Sequence, residues 1–130
     1  MILGIDPGTR KCGYALVAGT GRPPEAFGIV ETAALPTLVA QLLTRHTIAA
    51  IAMGSGTHAD SLRALLAGLG VPVNLVDERD TTLRARARYF ADWPPRGWRR
   101  LIPRGMLLPP RPIDDYAALL IAERYLQGQE

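Results

Sequence analysis

Apolar residues open the chain in a nearly unbroken run, Met1, Ile2, Leu3 and Ile5, which stops at Asp6-Pro7-Gly8. A short apolar run that ends in turn residues suits a strand buried on both faces, and predicts a strand over 1–6. Residues 12–18, Cys-Gly-Tyr-Ala-Leu-Val-Ala, read as its hairpin partner. The hairpin displays Asp6, Thr9 and Arg10 at its turn. Residues 19–24 hold two glycines and two prolines and form a second turn. Residues 26–32 then read as a third strand, antiparallel and at an edge, so the chain opens with a three-strand meander.

The period changes after Pro36. Leu38, Val39, Leu42 and Leu43 recur as one helical face up to His46, which suits the end of a helix. Residues 48–53 form a continuous apolar run, the pattern of a central parallel strand. A loop with glycines and hydroxyls follows, 54–60, and then a helix over 61–69 with Leu62, Leu65, Leu66 and Leu69 inward and Gly70 as its stop. Such a loop before a helix can bind an anion, but its glycines are a weak signal, and His58 there reads as an ordinary loop residue. Residues 71–77 predict a fifth strand, and a helix follows over 81–90, with Arg84 and Arg88 on one face and Arg86 off it. Six prolines between 94 and 112 exclude a helix interior or a central strand from 92–112. Pro112 opens a last helix to about Gln127, apolar nearly all round and hence buried against the sheet, with Asp114 and Asp115 in its first turn. A meander followed by strand–helix–strand crossovers gives an α/β domain, one mixed sheet flanked by helices, spanning 1–130 as a single unit.

Composition changes this picture at two points. A chain of 130 residues with 48% hydrophobic and 21% charged residues is globular. No apolar run is long enough to span a membrane, and no basic segment precedes an apolar one at the N-terminus, so no membrane partner and no signal peptide are expected. Cys12 is the single cysteine and reads as a small buried hydrophobe in a reducing, cytoplasmic setting. The net charge is only +3. Its distribution matters more: nine arginines lie between Arg79 and Arg111 against two acids, Asp80 and Asp92, a local net of +7. A concentrated guanidinium field points to a polyanion partner, because the arginine fork matches phosphate oxygens. Trp93 and Trp98 are interleaved with Arg96, Arg99, Arg100 and Arg104. That mixture suits single-stranded or distorted nucleic acid, where bases stack on rings. The plainer alternative is that the tryptophans anchor the loop to the core, and at least one is expected to do so.

The candidate chemistry gathers at one sheet edge. Parallel pairing of strands one, four and five puts their C-terminal ends together, where open α/β sheets bind ligands. Asp6 and Glu78 fall at that edge, and the last helix could bring Asp114 to it. An ionised carboxylate leaving a buried strand needs a metal, a basic partner or solvent. The ordinary alternatives are a turn aspartate for Asp6 and helix-dipole complementation for Asp114 and Asp115.

Three stretches resemble the ribonuclease-H-like nucleases of the RuvC and YqgF group. Ile-Leu-Gly-Ile-Asp6-Pro-Gly-Thr-Arg-Lys-Cys-Gly-Tyr-Ala is similar to the first strand and hairpin of both subfamilies. Val76-Asp-Glu78-Arg-Asp-Thr-Thr82 resembles the Asp-Glu-Arg-x-Thr-Thr signature of YqgF. Ile113-Asp114-Asp-Tyr-Ala117-Ala118 resembles the start of that family's last helix. Two features depart from the relatives. A RuvC junction resolvase has a glutamate just after its fourth strand, whereas Met53 here leads into Gly54-Ser55-Gly56, with no acid before Asp60. The long Pro/Arg/Trp loop before the last helix is unusual for YqgF.

The resemblance implies a five-stranded sheet of order 3-2-1-4-5 and a catalytic set of Asp6, Glu78 and Asp114 holding two Mg2+ or Mn2+ ions, with Asp115 in reserve and Asp77 capping its strand. No Cys/His set for zinc is present. Thr9, Arg10, Lys11, Arg79, Thr82, Arg84, Arg88, Arg96, Arg99, Arg100 and Arg104 would hold the nucleic acid. The implied activity is phosphodiester hydrolysis, in pre-16S rRNA processing or, as the alternative, in resolving Holliday-junction or branched DNA. A non-catalytic nucleic-acid-binding module and an ATP-using actin-like or sugar-kinase fold are the rival classes. The latter needs two related domains, and 130 residues hold one. Monomer and homodimer both remain open.

Overall fold

The computed structural model describes all residues except 57, 78–80, 103–107 and 130, and the side chain of 129. Five strands form one mixed sheet: β1 (Ile2–Asp6), β2 (Lys11–Val17), β3 (Ala26–Glu31), β4 (Ala50–Gly54) and β5 (Val73–Val76). Their order is β3-β2-β1-β4-β5, as the resemblance implied. The meander β1–β2–β3 is antiparallel, and β1, β4 and β5 are parallel. Four helices flank the sheet: α1 (Leu35–Arg45), α2 (Ala59–Leu66), α3 (Thr81–Asp92) and α4 (Asp114–Gln129). Among them, no helix is long and apolar enough to cross a membrane.

Side-chain alternation divides the sheet into two faces. Leu3, Ile5, Cys12, Leu16, Ile51 and Met53 point to one face, where Val39 and Leu42 of α1 and Leu62 and Leu66 of α2 complete a core of large aliphatics. The other face carries small residues. Ala15, Ala50 and Ala52 meet Ala118 and Ala122 of α4 there. Gly4 and Gly13 share this face by the same period. A Cβ on Gly13 would overlap the Asp114 carbonyl, and one on Gly4 would overlap the Ala118 carbonyl and lie 2.8 Å from the Ala122 Cβ. The helix backbone therefore rests directly on the strand backbone. Contacts run from Asp114 over Gly13 of β2, through Ala118 and Ala122 over Gly4 of β1, to Tyr125, whose hydroxyl accepts from Asn74 of β5. Eleven helical residues span about 16 Å, close to the ~14 Å between β2 and β5, so α4 crosses the strands. α3 packs on α4, tied by Arg88 to Glu123 at 2.9 Å.

Several expectations shift. The second strand starts at Lys11, the fourth spans Ala50–Gly54 and the fifth is only Val73–Val76. The second helix begins at Ala59 and tightens to a 3-10 turn at Ala67–Leu69 before Gly70, which adopts φ +78°. Leu65, expected to point inward, is 55% exposed, because the buried face of this short helix is Ala59, Leu62 and Leu66. The third helix continues through Phe90 to Asp92. The proline-rich segment holds a 3-10 turn, Gly97–Leu101, which fits between Pro95 and Pro103. Neither tryptophan is buried: Trp93 is 63% and Trp98 72% exposed. Tyr89, Phe90 and Tyr116 fill the core space beneath them instead.

The contact between α4 and the glycines predicts that Gly13→Ala destabilises the fold by at least ~1–3 kcal/mol, the range for overpacking. Gly68→Ala meets no atom within 4 Å and should be neutral or slightly stabilising. Urea unfolding of the two variants measures this, and equal stability of Gly13→Ala and wild type would contradict the close seat.

Candidate active site

The hairpin turn that follows β1 is tightly held. The Thr32 hydroxyl donates to the Gly8 carbonyl at 2.9 Å, and Cys12 Sγ lies 3.2 Å from the same hydroxyl. The turn closes so sharply that a Cβ on Gly8 would overlap the Lys11 carbonyl. Asp6 therefore leaves β1 in a fixed direction, paired across to Gly13. It alternates with Ile2 and Gly4 and so lies on the α4 face. Because Gly13 carries the first turn of α4, Asp6 and Asp114 are brought to the same point of the sheet edge from two different elements.

The rest of that edge is open. One step beyond the Ile5–Met53 pair, Asp6 stands level with Gly54, which pairs with Val76. Strand β4 thus offers no side chain between β1 and β5, a gap of about 9–10 Å across two strand spacings. The chain leaves β5 on this edge through Asp77, whose carbonyl accepts a hydrogen bond from Arg124. Glu78 and Arg79 follow, and lie outside the described residues, as does Arg104.

Electrostatics mark Asp114. Burial and the neighbouring Asp115 carboxylate raise its pKa above the ordinary value, and Lys11 only partly opposes this. Asp115 is differently placed. It is 5% exposed, accepts the Tyr116 backbone N–H at 3.0 Å and pairs with Arg111 at 3.3 Å. Its charge is paired with Arg111, whereas at Asp114 the attraction of Lys11 is outweighed by burial and by Asp115. Among the described residues, no three His, Cys, Asp or Glu side chains converge as a metal-binding group.

Thr9, Arg10 and Lys11 line a shallow groove of about 340 Å³ at this edge, with Glu31, Thr32 and Ala33 on its far wall. His58, reached across the edge from the loop after β4, is hydrogen-bonded to the Thr9 hydroxyl at 2.6 Å. Sequence pattern gave no sign of that link, since the two residues are 49 positions apart. The helix arginines fall elsewhere. Arg88 is held by both carboxylate oxygens of Glu123, and it lines a groove with Gly21–Pro24 from the β2–β3 turn, at the opposite sheet edge from Asp6. Thr82 is exposed at the start of α3, and Arg84 lines a small cleft with Glu123 and Arg124. Arg96, Arg99 and Arg100 lie in and beside the 3-10 turn of the proline-rich loop, where Arg99 donates to the Leu108 carbonyl at 2.6 Å.

The raised pKa of Asp114 carries a sign. Its neutral form is favoured in the folded state, so the associated stability is present below the ordinary carboxyl pKa and is lost as pH rises through the raised value. In the absence of divalent cations, Asp114→Asn should therefore melt no lower than wild type at pH 7, and the difference should vanish near pH 3. Thermal melts at the two pH values check this; a variant that is less stable than wild type at pH 7 only would contradict the assignment.

No family profile matches the chain. A protein of Coxiella burnetii named "Putative pre-16S rRNA nuclease" is 35% identical over 68 residues, 52% of this chain. That alignment spans only 40% of the relative's own length. A protein of the same name from Pelotomaculum thermopropionicum is 29% identical over 98% of this chain and 87% of its own. The Thermus thermophilus RuvC structure superposes with a TM-score of 0.61 at 21% identity, covering 95% of this chain and 90% of that one, and shares the fold. With its 3-2-1-4-5 sheet the chain thus has the RNase H-like fold of the RuvC structure, and in sequence it is similar to proteins named as pre-16S rRNA nucleases.

Proposed function

We propose that the protein is a divalent-cation-dependent nuclease that hydrolyses phosphodiester bonds in structured RNA, and that its cellular role is 5′-end processing of pre-16S rRNA in the cytoplasm. The observation that carries this reading is the shared row at the open sheet edge: Asp6 pairs with Gly13, and the Asp114 backbone rests on Gly13. The two carboxyls come from separate elements, and that of Asp114 has its pKa raised by burial and by Asp115, a tendency that a bound hard cation would offset. The oxygen-only donor set suits Mg2+ or Mn2+. Asp6 and Asp114, together with Glu78 from the segment after β5, would hold the ions, which when bound lower the pKa of a ligated water and neutralise charge on the phosphate.

The chain's own residues supply binding and orientation. Lys11, whose charge acts to lower the pKa of Asp114, would approach the scissile phosphate. Arg10 and Thr9 continue the groove along which a phosphate backbone would run. Asp115, neutralised by Arg111, keeps the first turn of α4 in place and is not needed as a ligand. The names of the two relatives support RNA as the substrate. The lack of an acid at the end of β4, where Gly54, Ser55 and Gly56 stand, weighs against the junction-resolving alternative.

Purified protein with Mn2+ should cleave a precursor rRNA fragment, and Asp6→Asn should lower the rate by at least 100-fold, about 2.7 kcal/mol in barrier, while retaining binding. Gel assays on the RNA and on a four-way DNA junction check this. Symmetric nicking of the junction with no RNA cleavage would favour the resolvase. Binding of either with no metal-dependent cleavage would favour a non-catalytic module.

A further inference from the structure

The loop between α3 and α4 builds a cleft that the proposed active site does not use. At the C-terminal end of α3, Tyr89 and Trp93 stand one helical turn apart, and Pro95, Arg96, Arg99 and Pro110 close the other side around a volume of about 230 Å³. Ligand pockets for larger molecules run from roughly 300 Å³ upward, so this one suits a single flat ring system. Its main wall is a tryptophan held in place despite its exposure. The Trp93 backbone N–H donates to the Tyr89 carbonyl at 2.8 Å, and beside it the Tyr116 hydroxyl donates to Asp92 at 2.8 Å. The residue is thereby fixed at the helix end while its ring remains 63% exposed.

Charge selects the occupant. Arg96 and Arg99 line the cleft, and the acid on this side, Asp92, is engaged by Tyr116. The cleft also adjoins the acid end of α4. Arg111 lies 5.4 Å from the centroid of Tyr89, a wall of the cleft, and pairs with Asp115, the neighbour of Asp114.

We propose that this cleft binds one unpaired base of a single-stranded nucleic-acid segment, stacked on Trp93 with its flanking phosphates on Arg96 and Arg99. This deepens the nuclease reading and rests on it only for the purpose of the site: the substrate would be a strand with a single-stranded extension beside the cut. Stacking on an aromatic ring tolerates any base, so the preference is for strand state and not for sequence. The rival occupant is a second copy of this chain, since Trp98, Leu101 and Leu108 are also exposed in the same segment. The arginines next to Trp93 favour a polyanion over a self-contact, because like charges would face each other across such a dimer.

The test is binding of a fluorescein-labelled single-stranded oligouridine and of a matched RNA hairpin with no overhang, both in EDTA, so that cleavage plays no part. Trp93→Ala should weaken single-strand binding by roughly 5- to 100-fold, the range for one stacked base, and Trp93→Phe should largely restore it. Hairpin binding should change little. Unchanged single-strand affinity of Trp93→Ala overturns the proposal, even if the wild type cleaves RNA. Single-strand binding that depends on Trp93 in a protein that cleaves nothing keeps the subsite and removes the nuclease reading. A wild-type dimer in sedimentation that Trp93→Ala dissociates assigns the surface to self-association and also overturns the proposal.

Discussion

The contact of backbone on backbone between α4 and the β1–β2 hairpin is the constraint on which the site depends. A helix normally stands about 10 Å from a sheet because side chains fill the interval. Here Gly4 and Gly13 remove the Cβ atoms under the carbonyls of Ala118 and Asp114. The helix sinks until its first turn reaches the row that ends in Asp6. A long side chain at either glycine would lift that turn, and Asp114 would no longer share the edge. The two faces of the sheet follow from this division. Large aliphatics pack beneath α1 and α2, and alanines and glycines lie beneath α4.

Charge is arranged around this seat in two ways. Asp115 is buried and neutralised, by Arg111 and by its neighbour's N–H, so it serves to fix the helix start. Asp114, one residue earlier, keeps an uncompensated tendency toward the neutral form. A buried acid that has a partner holds structure, and a half-buried acid that repels its neighbour stores electrostatic strain that a cation can release. The arginines divide likewise. Arg88 and Arg111 tie α3 and the loop to α4, while Arg96 and Arg100 remain at the surface.

Much of this was legible in the chain itself. Alternation and helical period located the five strands and four α-helices of the described residues, because most of them bury a face and the patterns of period 2 and 3.6 survive in the sequence. The turn after Asp6 could be read for the same reason, because Pro7 and Gly8 have few other uses. The close seat of α4 was not read, although Gly4, Gly13, Ala15, Ala50 and Ala52 fall on one face and Ala118 and Ala122 lie one turn apart. Small residues carry little apolar signal, and here their size is the information. The partners of Arg88 and Asp115 depend on how α3, α4 and the loop pack, which no local pattern encodes. Trp93 differs from the expectation for a related reason: its backbone closes the last turn of α3, yet its ring faces solvent. The role that the resemblance implies for Glu78 falls outside the described residues.

The central claim is that a glycine-seated helix assembles a hard-cation site from Asp6 and Asp114. Anomalous diffraction from crystals soaked in Mn2+ addresses it most directly. The account predicts a peak within coordination distance, about 2.0–2.2 Å, of carboxylate oxygens from both residues. Manganese bound elsewhere on the protein, with these two carboxylates unligated, would contradict it.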